Sequence, residues 1–245
     1  VGVVFSISSV LSALGFWMGT GGSSLVSLYL GAREKEKAHC AASTGFFLAL
    51  GLGGVIAAGG LLALEPLMRL LGTPENVFAD SQLYLNVYIG GLTFLFLYNI
   101  CTGVFTALGD SRTPLLIIGV ATVVNTVLDL WFVAGLGMGT AGAALATTAA
   151  QAVSFGMALV LVARRTGLLQ PKLSFFRMHG ALLRLILRLG IPSALQMTIA
   201  GFSWLVVTFL VNQYGVNVSA GNGVAIKIKD ICQLFISAMA SGATT

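Results

Sequence analysis

The sequence predicts an all-α protein, a polytopic bundle of membrane-spanning helices. Of its 245 residues, 57% are hydrophobic and only 9% are charged, and the mean hydropathy is +0.95. This composition leaves too little polar surface to cover a water-soluble globule of that size. Apolar segments of membrane-spanning length, about 20 residues, recur along the whole chain. Because lipid cannot satisfy exposed backbone groups, and because barrel strands are shorter and alternate in polarity, these segments are predicted to be helices.

Seven membrane spans are predicted, and charged residues, glycine or proline mark their ends. In chain order they cover residues 3–29, 41–64, 83–108, 115–136, 140–163, 190–213 and 222–245. Charged residues separate the first two spans, the turn ALGDSRTP precedes the fourth, and the glycine-rich turn GLGMGTAG separates the fourth from the fifth. A basic connector separates the fifth from the sixth. Pro114 and Pro192 are expected to start or bend helices.

The basic residues give these spans an orientation. Ten of the 13 Lys and Arg lie in alternate loops, which the positive-inside rule assigns to the cytoplasm: Arg33, Lys35, Lys37, Arg112, Arg164, Arg165, Lys172, Arg177, Arg184 and Arg188. The intervening loops, around Thr73, Gly137 and Asn217, are predicted to face outward, with Arg69 as one exception to explain. The net charge of +5 follows from this topology and from contact with the anionic inner leaflet. No nucleic-acid partner is therefore needed.

No enzyme signature stands out. Cys40, Cys101 and Cys232 lie in or at the ends of spans without CxxC spacing, and we expect small buried residues rather than a disulfide framework or a metal site. A catalytic triad, a paired-carboxylate pattern and a zinc pattern are absent from the sequence. GLGMGTAG has the glycine spacing of a dinucleotide-binding motif but lacks the strand that this motif needs. We therefore expect no enzymatic activity, no catalytic residue and no cofactor.

Asp129 is the residue that a purely apolar membrane span leaves unexplained. It lies in the stretch NTVLDLW, with Asn125 one turn before it on the same helical face. Asp129 is predicted roughly 24 Å from the cytoplasmic end of its span, and Thr147 roughly 10 Å from the outer turn, so both fall in the outer half of the membrane. A carboxylate at this depth costs about 3 kcal/mol or more to insert. Because desolvation favours its neutral form, Asp129 is predicted to exchange a proton.

A weak internal repeat relates the two ends of the chain. A shift of 221 positions places GVAIKIKDICQLFISAMASGATT, from Gly223, over GVVFSISSVLSALGFWMGTGGSS, from Gly2. The offset spans six helices, an even number, so both copies cross the membrane in the same direction. Transporters built from two parallel six-helix halves have this arrangement. The basic connector would then join two lobes.

Three stretches, in order and in spacing, resemble the multidrug and toxic compound extrusion (MATE) transporters: GTGGSSLVSLYLGAREKEKA, ALGDSRTP and NTVLDLWFVAGLGMGTAGAALATTAAQ. The resemblance implies twelve helices in two six-helix lobes around a central cavity, in a multi-pass protein of the inner or plasma membrane. It also implies secondary active efflux of drugs or other bulky, often cationic compounds in exchange for H⁺ or Na⁺. The implied partners are small-molecule substrates and the lipid bilayer, and we expect a monomer.

On this resemblance the chain contains about seven of the twelve helices. Residues 1–165 would form the N-terminal lobe with helices two to six, residues 166–189 a cytoplasmic basic connector with an interfacial helix, and residues 190–245 the start of the C-terminal lobe, helices seven and eight. Helix one would precede this sequence and helices nine to twelve would follow it. The run GIPSALQMTIAGFSWLVVTFLV contains no acid, which favours the prokaryotic DinF-like branch, whose ion site lies in the N-terminal lobe.

The resemblance carries individual residues into that ion site. Asp129 and Asn125 match the aspartate and asparagine on helix five, and Thr147 matches the threonine on helix six. These three are the predicted cation-coupling residues, and they would be the metal ligands if the coupled ion is Na⁺. Three further residues are predicted to belong to the cavity or its polar network, the first two from the resemblance and the third from its depth: Tyr84, Asn99 and Gln151.

Two other functions remain open from the sequence. A lipid-linked oligosaccharide flippase of the same superfamily would be expected to line its cavity with several basic residues, and the first five spans have none at mid-depth. A membrane scaffold or receptor subunit without transport activity would leave Asp129 as a packing residue hydrogen-bonded to Asn125. The missing basic residues argue against the flippase, and the polar surroundings of Asp129 argue against the scaffold or receptor subunit.

Overall fold

The computed structural model describes residues 2–70, 75–166, 169, 179–212 and isolated positions between 225 and 239. The helices are, in chain order, α1 (Gly2–Gly31), α2 (Lys35–Leu70), α3 (Glu75–Ala107), α4 (Arg112–Asp129), α5 (Gly139–Thr166) and α6 (Gly180–Asn212). A π-helical segment, Leu130–Gly135, continues α4 directly. Within these ranges there is no β-strand. The predicted all-α fold is confirmed.

Four helical segments are long and apolar enough to cross a membrane: Lys35–Arg69, Val77–Ala107, Arg112–Gly135 and Gly139–Thr166. They contain or closely match the second to fifth predicted spans. Most are longer than predicted because hydropathy detects only the part in hydrocarbon, whereas a helix can continue into the interfacial layer. The first and sixth predicted spans coincide with α1 and most of α6. The seventh lies largely outside the described residues.

The chain divides into two compact units, Val1–Ile191 and Pro192–Thr245. The predicted connector, residues 166–189, falls within the first unit, and much of it lies outside the described residues. From Gly180 onward its residues belong to α6, which continues through Pro192 as one helix. A separate interfacial helix is therefore not distinguished from the sixth span in this part of the chain. The proposed lobe boundaries stay predictions.

Within the first unit, α3 packs against α1, α2 and α5, whereas α4 packs mainly on α5 and makes only slight contact with α3. The buried side chains of α4 are Thr113 and Ile117. Large apolar side chains such as Leu115 and Val123 are exposed. Exposure of this kind suits a helix that faces lipid, where an apolar surface has no hydration cost. The helix that carries Asp129 is thus held to the bundle along one face.

A cluster of buried hydrophobic residues lies at one end of the bundle. It forms where the C-terminal ends of α1, α3 and α5 meet the N-terminal ends of α2 and α4, and its large members include Leu25, Phe105 and Ile117. This is the end that the basic loops assign to the cytoplasm. Gly21 of α1 lies close to the α6 backbone, because a Cβ at this position would stand 3.1 Å from the Ile186 carbonyl oxygen. The bundle is tightly packed on its predicted cytoplasmic side.

The three cysteines differ in their exposure. All three cysteines are free, but only Cys101 is buried; Cys40 is half-buried and Cys232 is exposed. The expectation of buried cysteines is wrong for Cys232, because an apolar membrane surface does not require small apolar side chains to be hidden.

Arg69, the exception among the outer basic residues, forms an ion pair with Glu65 at 2.9 Å. Its charge is therefore locally neutralised.

Candidate functional site

A cavity of about 240 Å³ lies between α3, α4 and α5. Its lining is mixed, with apolar and aromatic side chains beside amides and hydroxyls: Leu95, Tyr98, Ile118, Ala121, Thr122, Asn125, Thr147, Ala150, Gln151 and Ser154. The α4 and α5 residues in this set recur at spacings of three or four, so each helix presents one face to the cavity. Three predicted site residues therefore share it, namely Asn125, Thr147 and Gln151.

One end of this cavity borders the buried cluster at the predicted cytoplasmic end, because Tyr98 lines the cavity and packs against that cluster. Ile117 and Ala158, close to the lining residues in sequence, belong to the buried cluster at the predicted cytoplasmic end. Ser154 lies buried at the same level and donates its hydroxyl to the Ala150 carbonyl at 2.7 Å. The lining therefore runs from Ile118 and Tyr98, next to this core, toward the outer turn as far as Asn125 and Thr147.

Three polar atoms at this site are buried without a hydrogen-bond partner: Asn125 Nδ2, Asp129 Oδ1 and Gln151 Oε1. A buried polar group left unpaired costs about 1–3 kcal/mol, and native proteins contain few of them. Asp129 does not line the cavity, but it lies one helical turn beyond Asn125 on the same face. Unsatisfied donors and acceptors thus occur on one face of α4 and on the α5 residue that shares its cavity, where a bound ion or polar ligand could satisfy them.

Thr147 adds an oxygen that remains available. Its hydroxyl hydrogen is donated to the Ala143 carbonyl at 2.9 Å. Because a hydroxyl has one hydrogen and two lone pairs, the Thr147 oxygen can still accept a hydrogen bond or contact a cation. Carboxylate, amide and hydroxyl oxygens are the ligands that hard cations prefer. Among the described residues there is no cluster of three or more His, Cys, Asp or Glu.

Tyr84 and Asn99 lie on α3 outside the cavity lining. Asn99 Nδ2 donates to the Leu95 carbonyl at 2.9 Å and lies beside Gly15 of α1, 3.4 Å from where a Cβ would stand. The Tyr84 ring stacks on Tyr88, with ring centroids 6.2 Å apart. The structure thus does not bring these two predicted residues together with Asn125 and Thr147 in the cavity, and their roles remain predictions.

Several polar residues of this region are not among those predicted from the sequence. Tyr98 and Thr122 line the cavity. The hydroxyls of Tyr88 and Ser12 are 2.8 Å apart. Helical periodicity could have identified Tyr88, four residues after Tyr84, and Thr122, three before Asn125. No sequence signal could have identified Ser12, because its contact depends on how α1 packs against α3.

A hydrogen-bonded cluster outside the membrane anchors the start of α4. Asp110 accepts the backbone N–H groups of Arg112 at 3.1 Å and Thr113 at 3.0 Å, and the Thr113 hydroxyl at 2.6 Å. Arg165, at the end of α5, donates to the Thr113 hydroxyl oxygen at 2.9 Å. Hydrogen bonds from the side chain and backbone of Thr113 hold the pKa of Asp110 below its usual 3.8. This cluster fixes the start of α4, and the start of α4 determines the membrane depth of Asn125 and Asp129 on the same helix.

The helix changes its winding immediately after Asp129. In the π-helical segment, backbone hydrogen bonds join residues five apart in sequence instead of four. An example is the 2.9 Å bond from Leu136 N–H to the Trp131 carbonyl. Gly137 and Gly139 then form the outer turn with φ angles of +66° and +56°, a conformation that favours glycine. Short π-helical segments occur frequently at functional sites. Asp129 therefore lies at a discontinuity of the backbone as well as beside a cavity.

Comparison with known proteins identifies the fold and the family. The MatE family model matches residues 1–131 of the chain. The chain belongs to the MATE family of transporters. It is 34% identical over 241 residues to the probable multidrug resistance protein YpnP of Bacillus subtilis (strain 168), covering 97% of this chain and 53% of that protein. Against the multidrug export protein MepA of Staphylococcus saprophyticus, identity is 24% over 242 residues, covering 99% of this chain and 54% of that protein.

A solved MATE structure has the same fold. A crystal structure of MATE in the bent conformation superposes with a TM-score of 0.91 at 27% identity, covering 98% of this chain and 54% of that one. The chain spans about half the length of the curated relatives it matches. The predicted MATE resemblance and the multi-pass plasma-membrane location are thereby confirmed. Members of this family are transporters rather than enzymes, which agrees with the prediction of no enzymatic activity.

Proposed function

We propose that this MATE-family protein is a multidrug exporter that expels bulky, often cationic organic compounds in exchange for H⁺ or Na⁺. One observation carries the proposal. A carboxylate oxygen of Asp129 and an amide nitrogen of Asn125 are buried without hydrogen-bond partners. The two residues lie one turn apart on a helix long enough to span a membrane, and Asn125 lines the cavity. Ionisable groups at membrane depth are costly and mark ion or substrate pathways. The names of the relatives YpnP and MepA support drug export as the transport reaction.

Electrostatics connects the ion to the substrate. An ionised Asp129 would attract a cationic compound into a cavity whose walls include Leu95, Tyr98 and Ile118, because Coulomb attraction is strong where water is scarce. A proton on Asp129, or a Na⁺ held with the oxygens of Asn125 and Thr147, would cancel that charge. Loss of the charge would weaken cation binding and favour release. Ion and drug would thus exclude each other, which is the requirement for exchange.

The test uses the intact transporter in inverted membrane vesicles with a fluorescent cationic dye and an imposed H⁺ or Na⁺ gradient. We expect dye uptake in the wild type with at least one gradient, and a loss of about tenfold or more in Asp129→Asn, which keeps the shape but cannot ionise. Asp80→Asn is the matched control, because Asp80 is an exposed carboxylate at the outer end of α3 whose oxygen lies 3.5 Å from the Thr140 hydroxyl. The control should transport normally.

The two gradients separate the possible outcomes. Uptake driven by only one ion identifies that ion as the coupled one. If neither gradient drives uptake in the wild type, antiport is wrong. If Asp129→Asn transports as well as the wild type, the protein remains an exporter but Asp129 is not its coupling group.

A further inference from the structure

Three arginines meet at the predicted cytoplasmic end of the α4–α5 pair. Arg112 is the first residue of α4, and Arg164 and Arg165 belong to the last turn of α5. Arg165 Nη1 donates to the Thr113 hydroxyl at 2.9 Å, so the two helix ends are in direct contact. All three arginines are exposed. The start of one helix and the end of its neighbour therefore present guanidinium groups at one place on the surface.

The positive charge of this cluster exceeds the negative charge beside it. Asp110 is the nearest carboxylate in sequence, and its oxygens accept hydrogen bonds from the backbone N–H groups of Arg112 and Thr113 and from the Thr113 hydroxyl. Among the residues that the structure describes, neither Arg112 nor Arg164 forms an ion pair. Three arginines beside one carboxylate leave an excess of positive charge, which attracts an anion.

An apolar surface continues from the arginines into the membrane. Leu116 lies one turn after Arg112 and is 64% exposed, and Val160 lies one turn before Arg164 and is 49% exposed. Each apolar residue shares a helix face with its arginine. These two faces contain none of the cavity-lining residues, so both belong to the outer, lipid-facing surface of the bundle.

Two glycines leave a recess farther along the same faces. Gly119 follows Leu116 by three residues, and Gly156 precedes Val160 by four. At either glycine a Cβ would meet no heavy atom within 4 Å. Both glycines lie roughly 10 to 12 Å along the helix axes from the arginines, and because the two helices are antiparallel this is the same depth on each. An acyl chain can approach the backbone closely where the side chain is absent.

We propose that Arg112 and Arg164 bind the phosphate group of an anionic phospholipid of the inner leaflet, and that its acyl chain lies along the exposed faces of α4 and α5. Guanidinium groups suit this role because their planar N–H groups form charge-assisted hydrogen bonds with phosphate oxygens. A headgroup with a net negative charge is preferred, since a zwitterionic headgroup brings its own cation to a surface that is already positive. The bound lipid would hold the start of α4 to the end of α5. This inference concerns lipid recognition and does not rest on the proposed transport reaction.

The experiment measures the dissociation constant of the first bound phosphatidylglycerol, and of the first bound phosphatidylcholine with identical acyl chains. The method is native mass spectrometry of the purified intact transporter in an uncharged detergent. We expect the wild type to bind phosphatidylglycerol about tenfold more tightly than phosphatidylcholine. Arg112→Gln and Arg164→Gln should each weaken phosphatidylglycerol binding about fivefold, the usual effect of one basic residue near an anionic lipid, and the double variant about twenty-fold. Binding of phosphatidylcholine should stay nearly unchanged.

Lys35→Gln is the matched control, because Lys35 is an exposed basic residue at the same predicted end of the bundle, at the start of α2. This variant should bind both lipids as the wild type does. Arg165 is retained in every variant, since it holds Thr113. Thermal unfolding without added lipid should be the same for all variants. Equal losses for the two lipids would indicate damage to the fold and would overturn the inference.

Inorganic phosphate, added at millimolar concentration as its ammonium salt, distinguishes a lipid site from a site for free anions. It should not displace phosphatidylglycerol, because it lacks the acyl chain that the apolar faces bind. Displacement by phosphate in the wild type would assign the arginines to a free anion and overturn the lipid proposal. Equal wild-type affinity for the two lipids, or the same loss in Lys35→Gln as in the arginine variants, would also overturn it.

Discussion

Asp110 shows how one side chain outside the membrane positions a helix inside it. Its carboxylate accepts the first N–H groups of α4, which have no partner within the helix itself. Thr113, which it also binds, is buried and tied to Arg165 at the end of α5. Loss of this carboxylate would free the start of α4 and loosen its attachment to α5.

We expect Asp110→Ala to lower the free energy of unfolding by about 1 kcal/mol at neutral pH, as for other helix caps. Ser111→Ala is a matched neighbour, because Ser111 makes no side-chain capping hydrogen bond, and it should be nearly neutral. Thermal unfolding of the detergent-purified protein measures both. Equal destabilisation by the two variants would contradict the assignment of the cap to Asp110.

The effect of Asp110 should depend on pH. Because the folded state holds the pKa of Asp110 below its usual 3.8, the ionised carboxylate stabilises the fold fully above that usual value. The stabilisation is lost as the pH falls through the lower, folded-state pKa. The difference in melting temperature between wild type and Asp110→Ala should therefore persist from pH 7 to about pH 5 and shrink toward about pH 3. A difference that grows on acidification would contradict a lowered pKa of Asp110 in the folded state.

For individual residues, the sequence could identify polar side chains within apolar spans, but few of the contacts that those side chains make. Asp129 and Asn125 stand out because polar groups in an apolar run require an explanation, whereas Thr147 was predicted from the family resemblance and its helical depth only agrees with it. The placement of Asn99 against α1 and the contact of Tyr88 with Ser12 could not be predicted, since they depend on which faces of separate helices meet. Periodicity along one helix does not contain that information.

Among the helices, the contact between α3 and α5 depends on a glycine. A Cβ on Gly91 would stand 2.6 Å from the Thr148 methyl carbon and 3.2 Å from its Cβ. Thr148 has little freedom to move away, because it is β-branched and its hydroxyl donates to the Val87 carbonyl at 3.3 Å. Small residues of this kind allow close backbone approach between membrane helices.

We expect Gly91→Ala to destabilise the protein by about 1–3 kcal/mol, the usual cost of overpacking. At the neighbouring Gly90, a Cβ would meet no heavy atom within 4 Å, so Gly90→Ala should be neutral or stabilising by about 0.5–1 kcal/mol through helix propensity. Thermal unfolding in detergent distinguishes the pair. If both variants behave alike, the α3–α5 contact does not depend on Gly91.

Hydropathy could predict the membrane-spanning helices, because the thickness of the bilayer sets their length and the absence of water in its core requires their backbone groups to be hydrogen-bonded within the helix. Their ends were less predictable, and α2 begins at Lys35 rather than 41 because charged residues continue the helix outside hydrocarbon. The π-helical segment was unpredictable for a different reason. Its residues, LWFVAG, are as apolar as those of an ordinary span, so composition cannot distinguish the two windings.

The orientation of the whole molecule follows from its charges and can be measured directly. The turn containing Ser111 is predicted to be cytoplasmic, and the turn containing Met138 is predicted to be external. Both residues are exposed. They lie at opposite ends of the helical run from Arg112 to Gly135, which is long enough to cross a membrane.

We expect a membrane-impermeant maleimide to label Met138→Cys from outside intact cells, and Ser111→Cys only in inverted vesicles. The background would carry alanine at Cys40, Cys101 and Cys232, so that none of these thiols reacts. The positive-inside rule supplies the reason. Labelling of Ser111→Cys in intact cells would require the opposite orientation and would place the Asp129 site near the cytoplasmic surface.

The π-helical segment has a consequence for how such proteins diverge. Hydrogen bonds that reach five residues instead of four accommodate one residue more than an α-helix would hold over the same stretch. Here that surplus lies between two fixed points, the face of Asn125 and Asp129 on one side and the glycine turn on the other. A relative with one residue fewer could lose it from 130–135 and retain both points unchanged. A single-residue alignment gap in this helix would therefore indicate a change of winding rather than a displaced site.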